Sequence, residues 1–205
     1  TERDRALAAQ DALQRNMTRQ VARQMEEDLL RLSAVGEALA ATLEQVEGWE
    51  QEQLVDWKRR MLRHEPNIYG LCVAFEPDTF DLRPKSDPGR DPTRPGAKDP
   101  WRDGYSLYVY KKNGPTPPAL AEPLKPEYQY RKRQNWYVDT LVGRRLGWRG
   151  PFLAEYGGDI PMVSYVAPLR RRGAPRTIGV LTVDLSLTYF QRPWLNDPSF
   201  GEGSY

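Results

Sequence analysis

At 205 residues, 39% hydrophobic and 28% charged, the chain has the make-up of a folded globular protein rather than a disordered one. Its 30 basic residues stand against 28 acidic ones, a net charge of +2, which excludes a general polyanion binder whose affinity comes from a cationic surplus. A single Cys excludes an internal disulfide framework, and with one His and one Cys a zinc centre would need carboxylates for nearly everything.

From residue 2 to about 47 there is no Pro. Met17, Val21, Met25, Leu29, Leu32, Val35, Leu39, Leu43 and Val46 recur at three- or four-residue steps. That stripe predicts one long helix, about 65 Å for some 45 residues, whose polar first turns read as a projecting stalk and whose later part packs on a core. Gly48 marks its end. Leu54, Trp57, Met61 and Leu62 then predict a short amphipathic helix stopped near Pro66, with His64 complementing the dipole at its carboxyl end.

The period changes at "NIYGLCVAFEP" (67–77), a strand apolar on both faces in which Cys72 reads as a small core hydrophobe. Residues 77–103, rich in Pro, Asp and Arg, read as a long irregular loop whose acids lack calcium-loop spacing. A strand and turn follow at 105–114, closed by Asn113-Gly114, and then a Pro-rich link. Residues from 128 onward read as a short helix ending around Gly143 to Gly147. The stretch "IPMVSYVAPLRRRGAPRTIGVLTVDLSL" reads as two strands of an antiparallel hairpin with 170–173 at its tip, and 188–197 as a last helical turn or two. Strands gathered after helices and joined by hairpins predict an α+β fold with an antiparallel sheet. No run of 18 apolar residues occurs, and both ends read as cuts in a longer protein.

The long first helix, "NIYGLCVAFEP" as first sheet strand, and "NWYVDTLVGRRLGWRGPFLAEYGGDIPMVSYVAPL" with its Trp-Tyr pair and "WRGPF" segment resemble one family in this order. "RTIGVLTVDLSL" is similar to that family's closing strand. The family is the extracytoplasmic Cache sensors, in particular the membrane-distal lobe of a double Cache (dCache) module, and the resemblance covers roughly residues 20–195. It implies a PAS-like antiparallel sheet of about five strands flanked by helices. It also implies a stalk and signalling helix over 1–48, the distal lobe over 49–195, and the start of a membrane-proximal lobe over 196–205. The parent would be a membrane-anchored bacterial receptor with this part at the periplasmic or extracellular face. Its output would be a histidine kinase, chemoreceptor or serine phosphatase, with homodimerisation through the first helix. Neither cofactor, metal nor nucleic acid is implied, and the fragment itself is not expected to be an enzyme.

Amino-acid-binding members of this family carry Tyr-x4-Arg-x-Trp-Tyr, a later Tyr and an Asp on the last strand. Here Tyr128 and Arg133 keep their spacing, two residues rather than one precede Trp136, Tyr137 follows, Phe152 stands at the later Tyr, and Asp184 lies in the final strand. The resemblance implies that Arg133 and ring hydroxyls take a ligand carboxylate and Asp184 its ammonium, although the extra residue would turn Arg133 by about 100° on a helix. An Asp inside the run "IGVLTVDLSL" demands a partner, either a ligand or a protein group such as Arg133 or a helix end. If Asp184 faces a pocket, alternation across the hairpin favours Met162 and Ser164 over Val163 and Tyr165 as its neighbours. Tyr130, Arg131 and Lys132 are read as outward-facing. Tyr108 and Tyr110 are read as core or rim aromatics, and Tyr156 and Asp159 as a lid or a simple glycine turn.

The expected function is sensing of a small metabolite, an amino acid or carboxylate, with transmission through the first helix. A scaffold or dimerisation lobe that binds nothing is the alternative. An enzyme finds no Gly-x-Ser-x-Gly, phosphate loop or His-Glu-x-x-His to support it. Nucleic-acid recognition by "YQYRKRQNWY" is diluted by Glu127, Asp139 and the acidic loop upstream.

Overall fold

The computed structural model describes residues 1–45, 49–76, 79, 106–112, 120–123, 131, 134–154, 159–171 and 176–188. Several sequence expectations lie outside these residues. They are the loop at 80–103, the Asn113-Gly114 turn, Tyr128, Tyr130, Lys132, Arg133, Tyr156, most of the 170–173 tip, the turns after 188 and the segment 196–205. The chain divides into two compact units, Thr1–Val35 and Gly36–Tyr205.

Helix α1 runs Glu2–Gln45 without interruption. In the first unit its side chains are largely solvated, with Leu7, Leu13 and Leu30 all more than half exposed. In the second unit the stretch from Gly36 to Gln45 buries Leu39, Ala40 and Leu43. Helix α2 spans Gln51–His64 and opens where the Gln53 side-chain oxygen accepts the Glu50 N–H at 3.0 Å, satisfying an orphan donor at the helix start. Its inner face carries Leu54, Val55, Trp57 and Leu62, and also the ammonium group of Lys58. The Lys58 Nζ donates to the Leu107 carbonyl at 2.6 Å, and complete burial pulls its pKa down to about 8.

Six strands form one antiparallel sheet: β1 Gly70–Phe75, β2 Ser106–Tyr110, β3 Leu120–Pro123, β4 Gly147–Leu153, β5 Pro161–Arg170 and β6 Thr177–Ser186. Their order is β3-β2-β1-β6-β5-β4, so the apolar strands β1 and β6 are central, as their two-sided burial requires. The expected α+β class and antiparallel sheet stand, with one more strand than the approximate count. β3 occupies part of the Pro-rich link, where four residues offer too short a run to show a period. β4 lies where a helix end was expected at Gly147, and a register break between Arg149 and Phe152 hides its alternation. The expected helix ending around Gly143 to Gly147 is present as α3, Asn135–Gly143, and it ends on Arg144 in the left-handed region, φ 51°, a place more often taken by glycine.

The two faces of the sheet are covered differently. One face packs on the Gly36–Gln45 part of α1 and on α2. The Tyr165 ring lies against Gly36, where a Cβ would stand 2.5 Å from Cδ1, and the Tyr165 hydroxyl donates to Glu37 Oε1 at 2.9 Å. The other face carries Cys72, Ala74, Tyr108, Tyr110, Val166 and Val180, closed over by Tyr137 of α3 with Trp136, Leu141 and Tyr69 packed against them. Cys72 is buried there and its thiol is pushed up to about 12 by desolvation, which leaves no reactive thiolate.

Candidate functional site

Asp184 sits on the α3-covered face, near the end of the central strand β6. Register aligns it with Gly70 of β1 on one side and Ser164 of β5 on the other. Opposed residues of an antiparallel pair point to the same face, so the alternation that puts Asp184 inside also puts Met162, Ser164 and Val166 there. The Ser164 hydroxyl donates to Asp184 Oδ1 at 2.5 Å. The carboxylate is 5% exposed, and desolvation raises its pKa to about 6 against the opposing pull of the Ser164, Thr182 and Tyr108 hydroxyls.

Gly70 shapes the neighbourhood of that acid. The hydroxyl end of the Tyr108 ring occupies the space a Cβ at Gly70 would need. From there the Tyr108 hydroxyl, buried and without a hydrogen-bond partner by geometry among the described residues, approaches Asp184 as a nearby dipole. Burial, then the Asp184 charge, push the Tyr108 hydroxyl well above its ordinary pKa. Tyr110 stacks on Tyr108 at 5.1 Å between centroids, and Tyr69 lies 6.1 Å from Tyr110. Tyr69 is tied into the sheet on both sides, its N–H to the Asp184 carbonyl and its carbonyl to the Lys111 N–H.

Helix α3 supplies the opposite wall. Trp136 and Tyr137 meet edge to face at 5.5 Å. Tyr137 is fully buried, and its hydroxyl donates to Glu76 Oε1 at 2.5 Å instead of standing open as a ligand handle. Arg131, expected to face outward, has its Nε 3.5 Å from the same Glu76 oxygen. Glu76 thus anchors this segment to the end of β1, a role that sequence reading missed because its partner is 61 positions away. Phe152 of β4 pairs in register with Met162, which brings it to the same face. Of the candidate residues, then, Trp136 and Tyr137 lie on α3, and Phe152, Met162, Ser164 and Asp184 point to the face of the sheet that α3 covers. Asp159 is exposed, in the left-handed region at φ 53°, and belongs to the turn before β5. Among the described residues no group of three or more His, Cys, Asp or Glu could hold a metal ion.

Chemically, this arrangement offers a buried carboxylate whose pKa is raised to about 6, hydroxyls around it, and aromatic rings packed on the same face of the sheet. No described helix is long and apolar enough to cross a membrane.

Comparison with known proteins gives these features a context. No curated protein sequence is significantly similar to the chain. Among solved structures, the extracellular domain described as that of histidine kinase mmHK1S-Z3 is 28% identical, covering 82% of this chain and 56% of that one at a TM-score of 0.62. That of histidine kinase soHK1S-Z6 is 21% identical, covering 87% and 61% at a TM-score of 0.64. The ligand-binding domain of the Pseudomonas aeruginosa PAO1 amino acid chemoreceptor PctC in complex with GABA is 15% identical, covering 88% and 63% at a TM-score of 0.52. The chain thus spans about three-fifths of the length of these domains. They are sensory modules of receptors rather than enzymes, and their fold is the one described above. Residues 56–192, about two-thirds of the chain, match the model for the first PDC sensor domain of methyl-accepting chemotaxis protein-like receptors, and the chain belongs to that family.

Proposed function

We propose that this sensor domain binds a small metabolite, an amino acid or a related carboxylate, between the sheet and α3, with Asp184 receiving a cationic group of the ligand. The observation that carries the reading is the buried Asp184 carboxylate, set among hydroxyls and aromatic rings on the face that α3 covers. A carboxyl group is expensive to bury. Among the described residues Ser164 makes one short bond to it, with the Thr182 and Tyr108 hydroxyls nearby, and a carboxylate has acceptor capacity beyond these for an incoming ammonium. Trp136, Tyr137, Phe152 and Met162 supply the enclosing surface, while Tyr128 and Arg133 complete the set expected from sequence. The PctC relative bound to GABA supports a ligand of this chemical class. In the same reading the parent receptor is anchored in the bacterial inner membrane with this lobe outside it, the distal part of a double module. It pairs with a second copy through α1 and drives a kinase, chemoreceptor or phosphatase output.

A second reading, a lobe that serves only as scaffold, draws support from the same bond: the Ser164–Asp184 pair could be an internally satisfied polar contact. A thermal-shift screen of the 20 proteinogenic L-amino acids, GABA and small carboxylates separates the two. Under the ligand reading at least one compound raises the melting temperature, since a ligand at 100 times its Kd adds about 2.7 kcal/mol. Asp184→Ala and Trp136→Ala abolish that rise while unfolding stays cooperative. Stabilisation that survives both changes would move the site elsewhere, and a screen without any response would favour the scaffold.

A further inference from the structure

The layer beneath α3 is closed in this structure. Tyr108, Met162, Ser164 and Asp184 are each 5% exposed or less, and Cys72 is buried with them. A molecule reaches that layer only if something covering it moves, and among the described elements on this face α3 alone stands outside the sheet. α3 is weakly built. Its nine residues are too few for a stable helix alone, and its cap residue Gln134 makes no side-chain bond to the first turn. Thr140, fully buried on the same helix, has no hydrogen-bond partner for its hydroxyl among the described residues. Tyr108 on the sheet is in the same condition, so closure leaves an unsatisfied group on the helix and another on the sheet. A tether opposes these costs. The Tyr137 hydroxyl donates to Glu76 Oε1, and the Arg131 Nε lies 3.5 Å from the same oxygen. Glu76 itself is fixed: its N–H donates to the Ile178 carbonyl at 2.8 Å, and the Thr79 hydroxyl donates to the Glu76 and Ile178 carbonyls. The Glu76 side chain keeps 15% exposure, so water can replace the tether when it breaks. Such a contact re-forms readily, unlike a fully buried pair whose rupture strands a charge.

We propose that α3 is a movable cover over this face of the sheet and that the Tyr137–Glu76 bond is its catch, so that the layer beneath is entered by release of that bond rather than through a standing opening. The inference rests on the ligand-binding reading given above for its purpose, but its measurement needs no ligand.

Cys72 supplies the probe. It lies in the layer that Tyr137 closes, and its buried thiol, pushed up to about 12, is inert while the cover is shut. Labelling of the full chain with 5,5′-dithiobis(2-nitrobenzoate) at pH 8, under conditions where the rate is proportional to reagent, therefore reports the open population. A local opening exposes little surface, so wild-type labelling at low urea is expected to be nearly independent of urea and faster than global unfolding allows. Tyr137→Phe and Glu76→Gln are each expected to speed it about tenfold, the size of a lost charged hydrogen bond, and the two together little more than either alone. Gly36→Ala, which strains the opposite face and leaves the catch intact, is expected to leave the rate unchanged. Labelling that carries the full urea slope of unfolding and is speeded by Gly36→Ala overturns the movable cover. A local rate that Tyr137→Phe does not change overturns the catch, with Glu76→Gln deciding in its place where the Phe variant folds poorly. Neither result touches the ligand reading, which the thermal-shift screen tests without reference to opening.

Discussion

A carboxyl group inside an apolar strand is the most informative single residue of this chain, and its proton is where the site can be probed without knowing the ligand. Asp184 titrates near pH 6 in the folded chain against an ordinary 3.8. Between about pH 4 and 6 the folded state therefore holds more protons than the unfolded one, so this group's contribution to stability is present below pH 4 and is lost as pH rises through 6. Acidification from pH 7 to 4.5 is expected to stabilise the wild-type chain relative to Asp184→Asn, a difference on the order of 2 kcal/mol read from urea midpoints at each pH. Binding of an ammonium has the opposite dependence, since only the ionised acid attracts it, and affinity is expected to fall below about pH 6. Lys58 gives an independent titration. Its pKa is lowered from 10.5 to about 8, so the unfolded chain binds the extra proton between those values and stability rises with pH across that window. Melting temperatures at pH 7.5 and 10 are expected to show the rise in wild type and not in Lys58→Met. Sequence reading reached Asp184, and with it Met162 and Ser164, because strand alternation is a local property. It did not reach Glu76. The partners of Glu76 are 55 and 61 positions away, too far for any local pattern to show.

Among the elements, the central strands and both early helices were legible because apolar residues recur along them at a clear period. The edges of the sheet were not. β3 is four residues long, and β4 carries Gly147, Gly150 and Pro151, residues that read as turn and that in the folded chain belong to an irregular edge strand. Gly150 at φ 107° needs the absence of a side chain, and a Cβ there would also stand 3.1 Å from the Met162 carbonyl. The fit of α1 to the sheet depends on another glycine. Gly36→Ala would drive a methyl group into the Tyr165 ring, and over-packing of this kind costs about 1–3 kcal/mol. Chemical denaturation is expected to show that loss. In a Tyr165→Leu background, where the ring is gone, the same substitution is expected to cost markedly less. Equal costs in both backgrounds would mean that the ring yields without strain.

For the whole molecule, order along the chain was more telling than any one motif. Long helix, short helix, two-sided strand, aromatic helix and closing hairpin each have ordinary explanations, and only their succession points to a sensor lobe, which the family match over residues 56–192 bears out. The departures from the expected amino-acid motif matter as much as the agreements. Tyr137, expected to face a ligand, donates its hydroxyl to Glu76. Strand β5 also has a double allegiance. Ser164 reaches the acid on one side of the sheet, and Tyr165, the next residue, reaches Glu37 of α1 on the other. A tug on the first hydroxyl has a single peptide unit to cross before it arrives at the helix, with no hinge or flexible spacer in between. A molecule that displaced Ser164 is therefore expected to disturb the Tyr165–Glu37 bond as well, and Tyr165→Phe is expected to uncouple the two.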